Sequence, residues 1–167
     1  DDVVTWTDVH VGIAVSVDGG LVVPVIRHAD RLALAEIAAY RQALIERARS
    51  GRLAPAHVEG GTFTVSNFGS YGGDFETAIL NAPQSALLGI GRITEEPAVR
   101  DGQIVIRRLM MISLTFDHRL IDGALAGRFR ARLREYLEHP ALMQGWLESG
   151  DPPEARRASR RPSATIL

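Results

Sequence analysis

Cysteine and lysine are both missing from this chain of 167 residues. Without cysteine there is no disulfide, no thiolate nucleophile and no thiolate metal ligand. Without lysine there is no Schiff-base chemistry and no lysine-bearing phosphate loop, since all 19 basic residues are arginine. No apolar run comes near the roughly 20 residues of a membrane-spanning helix. No signal-peptide pattern stands at the start, and no segment repeats. The formal net charge of −1 supplies no general attraction to nucleic acid or to anionic lipid. What remains is a largely apolar chain, long enough to bury a substantial core in one domain. A protein nucleophile must therefore be a hydroxyl, a carboxylate or a histidine, unless a substrate brings its own. The arginine-for-lysine bias, with abundant alanine and glycine, points to a GC-rich bacterial gene, and a cytoplasmic location is the expectation.

Periodicity places the elements. Val9, Val11, Ile13, Val15 and Val17 alternate as in a half-buried strand, Gly19-Gly20 turns the chain, and Leu21–Ile26 returns, with Pro24 marking an edge or an irregularity. Leu34 to Ala48 carries apolar residues at helical spacing and stops at Ser50-Gly51. Thr62–Ser66 reads as a strand, Asn67–Asp74 as a glycine-punctuated loop, Ala78–Leu80 as a short strand and Ala86–Ile93 as another. Asp101-Gly102 is the strongest hairpin signal, joining a strand near Pro97–Arg100 to a long one from Ile104, bent near Arg107-Arg108. Beyond a turn near Gly123, Leu125, Phe129, Leu133, Tyr136 and Leu137 make one apolar helix stripe, and Pro140 opens a last short helix through Leu147. Arg128, Arg130, Arg132 and Arg134 lie mostly off that stripe, without the interleaved aromatics that single-strand binding needs. They read as a solvated or subunit-facing surface, so no nucleic-acid partner is expected. The domain is expected to span residues 1–148, with a polar tail over 149–167. Strands in antiparallel pairs with a few long helices give an α/β or α+β sandwich, helices stacked on a largely antiparallel sheet.

The most informative stretch is Phe116-Asp117-His118-Arg119-Leu120-Ile121-Asp122-Gly123. It sets one histidine between two carboxylates, after a β-prone run and before an amphipathic helix. A strand end feeding a tight turn is a rigid mount for a side chain that faces a ligand. Histidine is also the side chain best suited to exchange a proton near neutral pH. The competing structural reading has His118 held by Asp117 or Asp122 in an ion pair. His10, His28, His57 and His139 show no ligand spacing with His118, so no metal is expected.

His118-Arg119-Leu120-Ile121-Asp122-Gly123 resembles the active-site signature of the dihydrolipoamide acyltransferases, the catalytic cores of 2-oxo acid dehydrogenase complexes. That family resembles chloramphenicol acetyltransferase in fold, and Asp117 and Arg119 match its dihydrolipoamide branch. Gly60–Gly69, Asn81-Ala82-Pro83-Gln84 and Leu88-Gly89-Ile90-Gly91 resemble further family blocks in the family's order, so the likeness runs from about Val9 to Leu147. The family's domain carries additional sequence before the region matching Asp1, and the segment after Leu147 runs past the usual family end.

The resemblance implies a chloramphenicol-acetyltransferase-like fold, a mixed, mostly antiparallel sheet covered by helices. It also implies acyl transfer between dihydrolipoamide and coenzyme A as substrates, the lipoyl group being carried on a domain outside this chain. In that reading His118 is the general base and Ser66 the oxyanion donor, 52 residues apart as in the family. Asp122 anchors the histidine turn, with Asp117 and Arg119 as supports. Asn67, Gly69 and Gly72 could let a pantetheine or acyl group approach the backbone closely. A phosphate cradle at Gly69–Gly73 lacks the expected lysine and helix. The family works as homotrimers with serine and histidine from adjacent subunits, assembled into hollow cores. Decarboxylase and dihydrolipoamide dehydrogenase components would dock through domains outside this chain. Alternatives are an O-acetyltransferase of the chloramphenicol type and a non-catalytic scaffold, although a scaffold would be expected to lose His118 or its aspartate. For the acyl group, Ser66–Gly73 leans toward the branched-chain enzymes, while Asn81–Ile90 resembles the acetyl enzymes equally well.

Overall fold

Asp101 and Gly102 take φ of 51° and 75°, the left-handed pair that a two-residue hairpin turn requires, and they close the longest hairpin of the fold. The computed structural model describes residues 3–145, so the expected tail and the end of the last helix lie outside the described residues. The strands are β1 (Val11–Ile13), β2 (Val15–Val17), β3 (Gly20–Val22), β4 (Val25–Ile26), β5 (Phe63–Asn67), β6 (Ala86–Arg100) and β7 (Gln103–Phe116). Helix α1 (Leu34–Arg49) lies between β4 and β5, and α2 (Gly123–Glu138) follows β7. No described helix is long and apolar enough to cross a membrane.

Five strands form one mixed sheet in the order β4-β1-β5-β6-β7, and β2 and β3 form a separate ribbon. Pairings β4–β1 and β6–β7 are antiparallel, while β1–β5 and β5–β6 are parallel. The alternating run at the start is thus two strands, split at Ala14, whose amide donates to Val65 O at 2.9 Å. Pro24, with no N–H to give, sits in the break between β3 and β4, and β4 is an edge strand.

Two expectations are corrected. Ala78–Leu80 is not a strand: it pairs with no strand among the described residues, and Ile79 is 90% exposed. The strands expected at Ala86–Ile93 and Pro97–Arg100 are one continuous β6. Its outer half has water on both sides with β7, Ile104 being 79% exposed, so no period-two pattern marks it.

Packing is concentrated at the inner half. Leu87 and Leu88 are both buried, because the sheet is covered on both faces there. Each such side chain contributes roughly 1.5–3 kcal/mol relative to exposure. Phe63 meets Phe129 of α2 with ring centroids 5.9 Å apart. Phe63 and Val65 therefore look toward α2, while Thr64, 1% exposed, and Ser66 look to the opposite face. The α2 stripe is only partly covered in the single chain. Tyr136 and Ala126 are buried, whereas Leu125, Phe129 and Leu137 stay nearly half exposed. Arg132 and Arg134 pair with Glu135 and Glu138 along the helix, as a solvated surface does.

Candidate active site

The histidine turn is tied down from three sides. Asp117 N–H donates to Ser85 O at 2.8 Å, extending the β6–β7 register one residue beyond Phe116. Leu120 and Ile121 then donate to Asp117 O at 3.0 and 2.9 Å. The Asp117 carboxylate accepts from Arg119 N at 3.0 Å and from the Arg119 guanidinium at 2.6 to 3.2 Å. Those side-chain hydrogen bonds, then the backbone one, hold the Asp117 carboxyl down at about 2, and the side-chain bonds with the Asp117 charge raise the Arg119 guanidinium. Asp122 is the N-cap of α2, its Oδ1 accepting from Leu125 N at 2.6 Å.

Neither carboxylate hydrogen-bonds the imidazole among the described residues, so the reading of His118 as an ion-paired structural residue is corrected. The ring is exposed and lies beside Phe116, centroids 5.5 Å apart. It is held by the turn that carries it, and it is free to meet a ligand.

Ser66 stands half-buried one residue before the end of β5, opposite Gly89 of β6, which in turn pairs with Ser113 of β7. Asn67 ends the strand in an exposed position, and its carbonyl accepts from Ser70 Oγ at 3.1 Å. A 3-10 turn over Gly69–Tyr71 follows, closed by Gly72 at φ 86°. The glycines have packing reasons of their own: a Cβ on Gly69 would lie 2.3 Å from the Gly91 backbone.

The register also fixes how far Ser66 lies from His118. Ser66 shares a row with Ser113, and β7 runs opposite to β5, so His118 leaves the sheet beyond the beginning of β5. Four residue steps at about 3.3 Å from Ser113 to Asp117, the last residue in register, and two strand spacings of about 4.8 Å already amount to on the order of 15 Å, and His118 is one residue further on. One chain presents the hydroxyl and the imidazole at different ends of its sheet.

Sequence spacing hid one cluster. Ligand atoms of Asp8, His10 and His28 lie within 4.8 Å of one another. The β1–β4 pairing brings these segments together, an arrangement that no local motif announces. His28, in a left-handed conformation, donates its backbone N–H to His10 Nδ1 at 2.9 Å, and Arg31 reaches Asp8 at 2.5 Å. These bonds already engage the His10 lone pair and the Asp8 charge, and they tie the entry of β1 to the segment after β4.

Residues 1–144 match the family model of the 2-oxoacid dehydrogenases acyltransferase (catalytic domain). The dihydrolipoyllysine-residue succinyltransferase component of the 2-oxoglutarate dehydrogenase complex of Bartonella vinsonii subsp. berkhoffii is 49% identical over 139 residues. That match covers 83% of this chain and 34% of the relative, so the chain spans about a third of that protein's length. Among solved structures, the dihydrolipoamide acetyltransferase of Azotobacter vinelandii aligns with a TM-score of 0.77 and 42% identity, over 80% of this chain and 55% of that one. Its catalytic mechanism was investigated at a serine, a histidine 52 residues later and an asparagine four residues after that. The cubic core of a pyruvate dehydrogenase multienzyme complex aligns with a TM-score of 0.76 and 42% identity, over 79% of this chain and 54% of that one.

Proposed function

Because the chain belongs to the family of 2-oxoacid dehydrogenase acyltransferase catalytic domains, we propose that it moves an acyl group between a dihydrolipoyl thiol and the thiol of coenzyme A. The observation that carries this reading is an interval. Ser66 and His118 are separated by 52 residues and Asp122 follows four later, the spacing of the three positions studied in the Azotobacter enzyme.

The chemistry is thioester exchange, so the nucleophile arrives with the substrate, and a chain without cysteine and lysine can carry it out with no covalent intermediate. His118 takes the proton of the attacking thiol. With ordinary values of about 8.5 for a thiol and about 6.5 for imidazole, transfer costs little in either direction. The thiolate adds to the thioester carbonyl, and the Ser66 hydroxyl donates to the oxygen that becomes negative. Collapse of the tetrahedral intermediate breaks the original carbon–sulfur bond. The departing thiolate then recovers the proton from the imidazolium. Asp122 and the Asp117–Arg119 pair hold the turn, and Asn67, Gly69 and Gly72 border the approach to Ser66.

The separation within one chain argues that Ser66 meets His118 of a neighbouring copy in a homotrimer, and that such trimers build a larger core. Lipoyl, decarboxylase-binding and dihydrolipoamide dehydrogenase-binding functions fall to domains outside this chain.

His118→Ala is expected to lower acyl transfer about 10²–10⁴-fold, and Ser66→Ala about 10²–10³-fold, each with the assembly intact. Turnover near wild type in a purified, assembled variant would remove that residue from the mechanism. The same assay with acetyl-, isobutyryl- and succinyl-coenzyme A as donors to dihydrolipoamide identifies the acyl group.

A further inference from the structure

We propose that Arg92 is a positioning residue for this reaction: through Asp74 it locks the loop that follows Ser66 onto a β-bulge in β6, and so fixes where the serine hydroxyl is presented. The proposal rests on the role of Ser66 given above. It begins with the sheet register. Between the pairs Ile90↔Ile112 and Ile93↔Met110, two residues of β6, Gly91 and Arg92, stand opposite the single Met111 of β7. Such a bulge leaves one residue out of the ladder and redirects the chain locally. The Arg92 N–H donates instead to Gly73 O at 2.9 Å.

The Arg92 side chain adds a second attachment to the same loop. Its Nε and Nη2 reach the two carboxylate oxygens of Asp74, the latter at 3.1 Å, a fork-on-fork arrangement with a defined direction. The backbone beneath is in direct contact. A Cβ on Gly91 would lie 2.2 Å from Asp74 O, so the loop rests on the bulge with no side chain between. Contact continues to the row of the serine. The Phe68 ring lies where a Cβ on Gly73 would be 2.7 Å away and one on Gly89 3.1 Å away, and Gly89 is the register partner of Ser66. From Asp74 the path to the Ser66 row is Gly73, Phe68 and Gly89.

Both members of the pair are about half exposed, and exposed pairs contribute little to global stability. Its consequence is therefore local geometry, and small displacements of a catalytic group are costly in rate. In the assembled full-length protein, Arg92→Ala is expected to lower kcat on the order of 10- to 100-fold. Asp74→Asn should follow in direction, and Arg92→Lys, which cannot fork, should stay closer to alanine than to arginine. Thermal midpoint and assembly size should hardly move.

The deciding measurement is a double-mutant cycle. In a Ser66→Ala background, Arg92→Ala should change kcat by less than about twofold, because its effect runs through the missing hydroxyl. An equal loss in both backgrounds, or none in the presence of Ser66, overturns the proposal while leaving the serine's role standing. If Ser66→Ala alone keeps wild-type kcat, the serine reading fails and the positioning role falls with it.

Discussion

Asp117 gives its charge to Arg119, not to the histidine beside it. A bidentate arginine that also donates its backbone N–H favours the ionised carboxyl, which is why that group titrates at about 2. With a folded value below the ordinary one of about 3.9, the pair's stabilisation is complete above roughly pH 4 and is lost as pH falls toward 2. Near neutrality the turn around His118 is therefore insensitive to Asp117 protonation. A carboxyl-carbon NMR titration should find Asp117 still mostly ionised at about pH 3, where an ordinary aspartate is mostly protonated. Replacing Arg119 with alanine should raise the midpoint toward the ordinary value. An unchanged midpoint in that variant would mean that another group, and not this guanidinium, sets the titration.

At the scale of elements, Asp122 joins the turn to the helix by capping α2 through the Leu125 amide. Asp122→Ala should cost about 0.5–2 kcal/mol in denaturant unfolding, whereas Asp122→Asn should keep most of the stability, since asparagine caps as well as aspartate. A large loss in the asparagine variant would mean that the charge matters beyond the cap. Elements with local signals were legible in the sequence: the Asp101-Gly102 turn, the start of α2 behind Asp122, and the end of α1 before Gly51. Less legible were features decided by distant partners. Hydropathy marks a buried face but not a neighbour, so it did not distinguish the parallel β1–β5 and β5–β6 pairings from hairpins. It missed the continuity of β6 over residues 94–96, between the two strands it expected, where Glu95 and Glu96 face water, and it took Ala78–Leu80, which pairs with no described strand, for a strand. At the site, the His118 turn and Ser66 were readable as motifs. The Asp74–Arg92 lock and the Asp8–His10–His28 cluster depend on residues brought together by register, and register has no local sequence mark.

For the whole molecule, the sheet register itself sets the requirement. Ser66 and His118 lie at different ends of a stiff sheet, at least on the order of 15 Å apart, and the thioester exchange proposed above needs both at one carbonyl. A hinge that closed this distance would have to break β5–β6 and β6–β7 pairs in the most buried part of the fold. Association costs no such rearrangement: the homotrimer proposed above would set one end of each sheet beside the other end of its neighbour. The half-exposed Leu125, Phe129 and Leu137 of α2 are apolar surface that the single chain leaves uncovered. The consequence is genetic as well as structural. Co-expressed Ser66→Ala and His118→Ala chains, each inactive alone, should form mixed trimers in which some sites draw an intact serine from one variant and an intact histidine from the other. Random mixing in equal amounts should restore about a quarter of wild-type activity per site, since each site takes one residue from each of two adjacent chains. Size-exclusion chromatography of differently tagged chains would verify that mixing has occurred. Verified mixed assemblies without activity would place both residues in the same chain's site, contrary to the register.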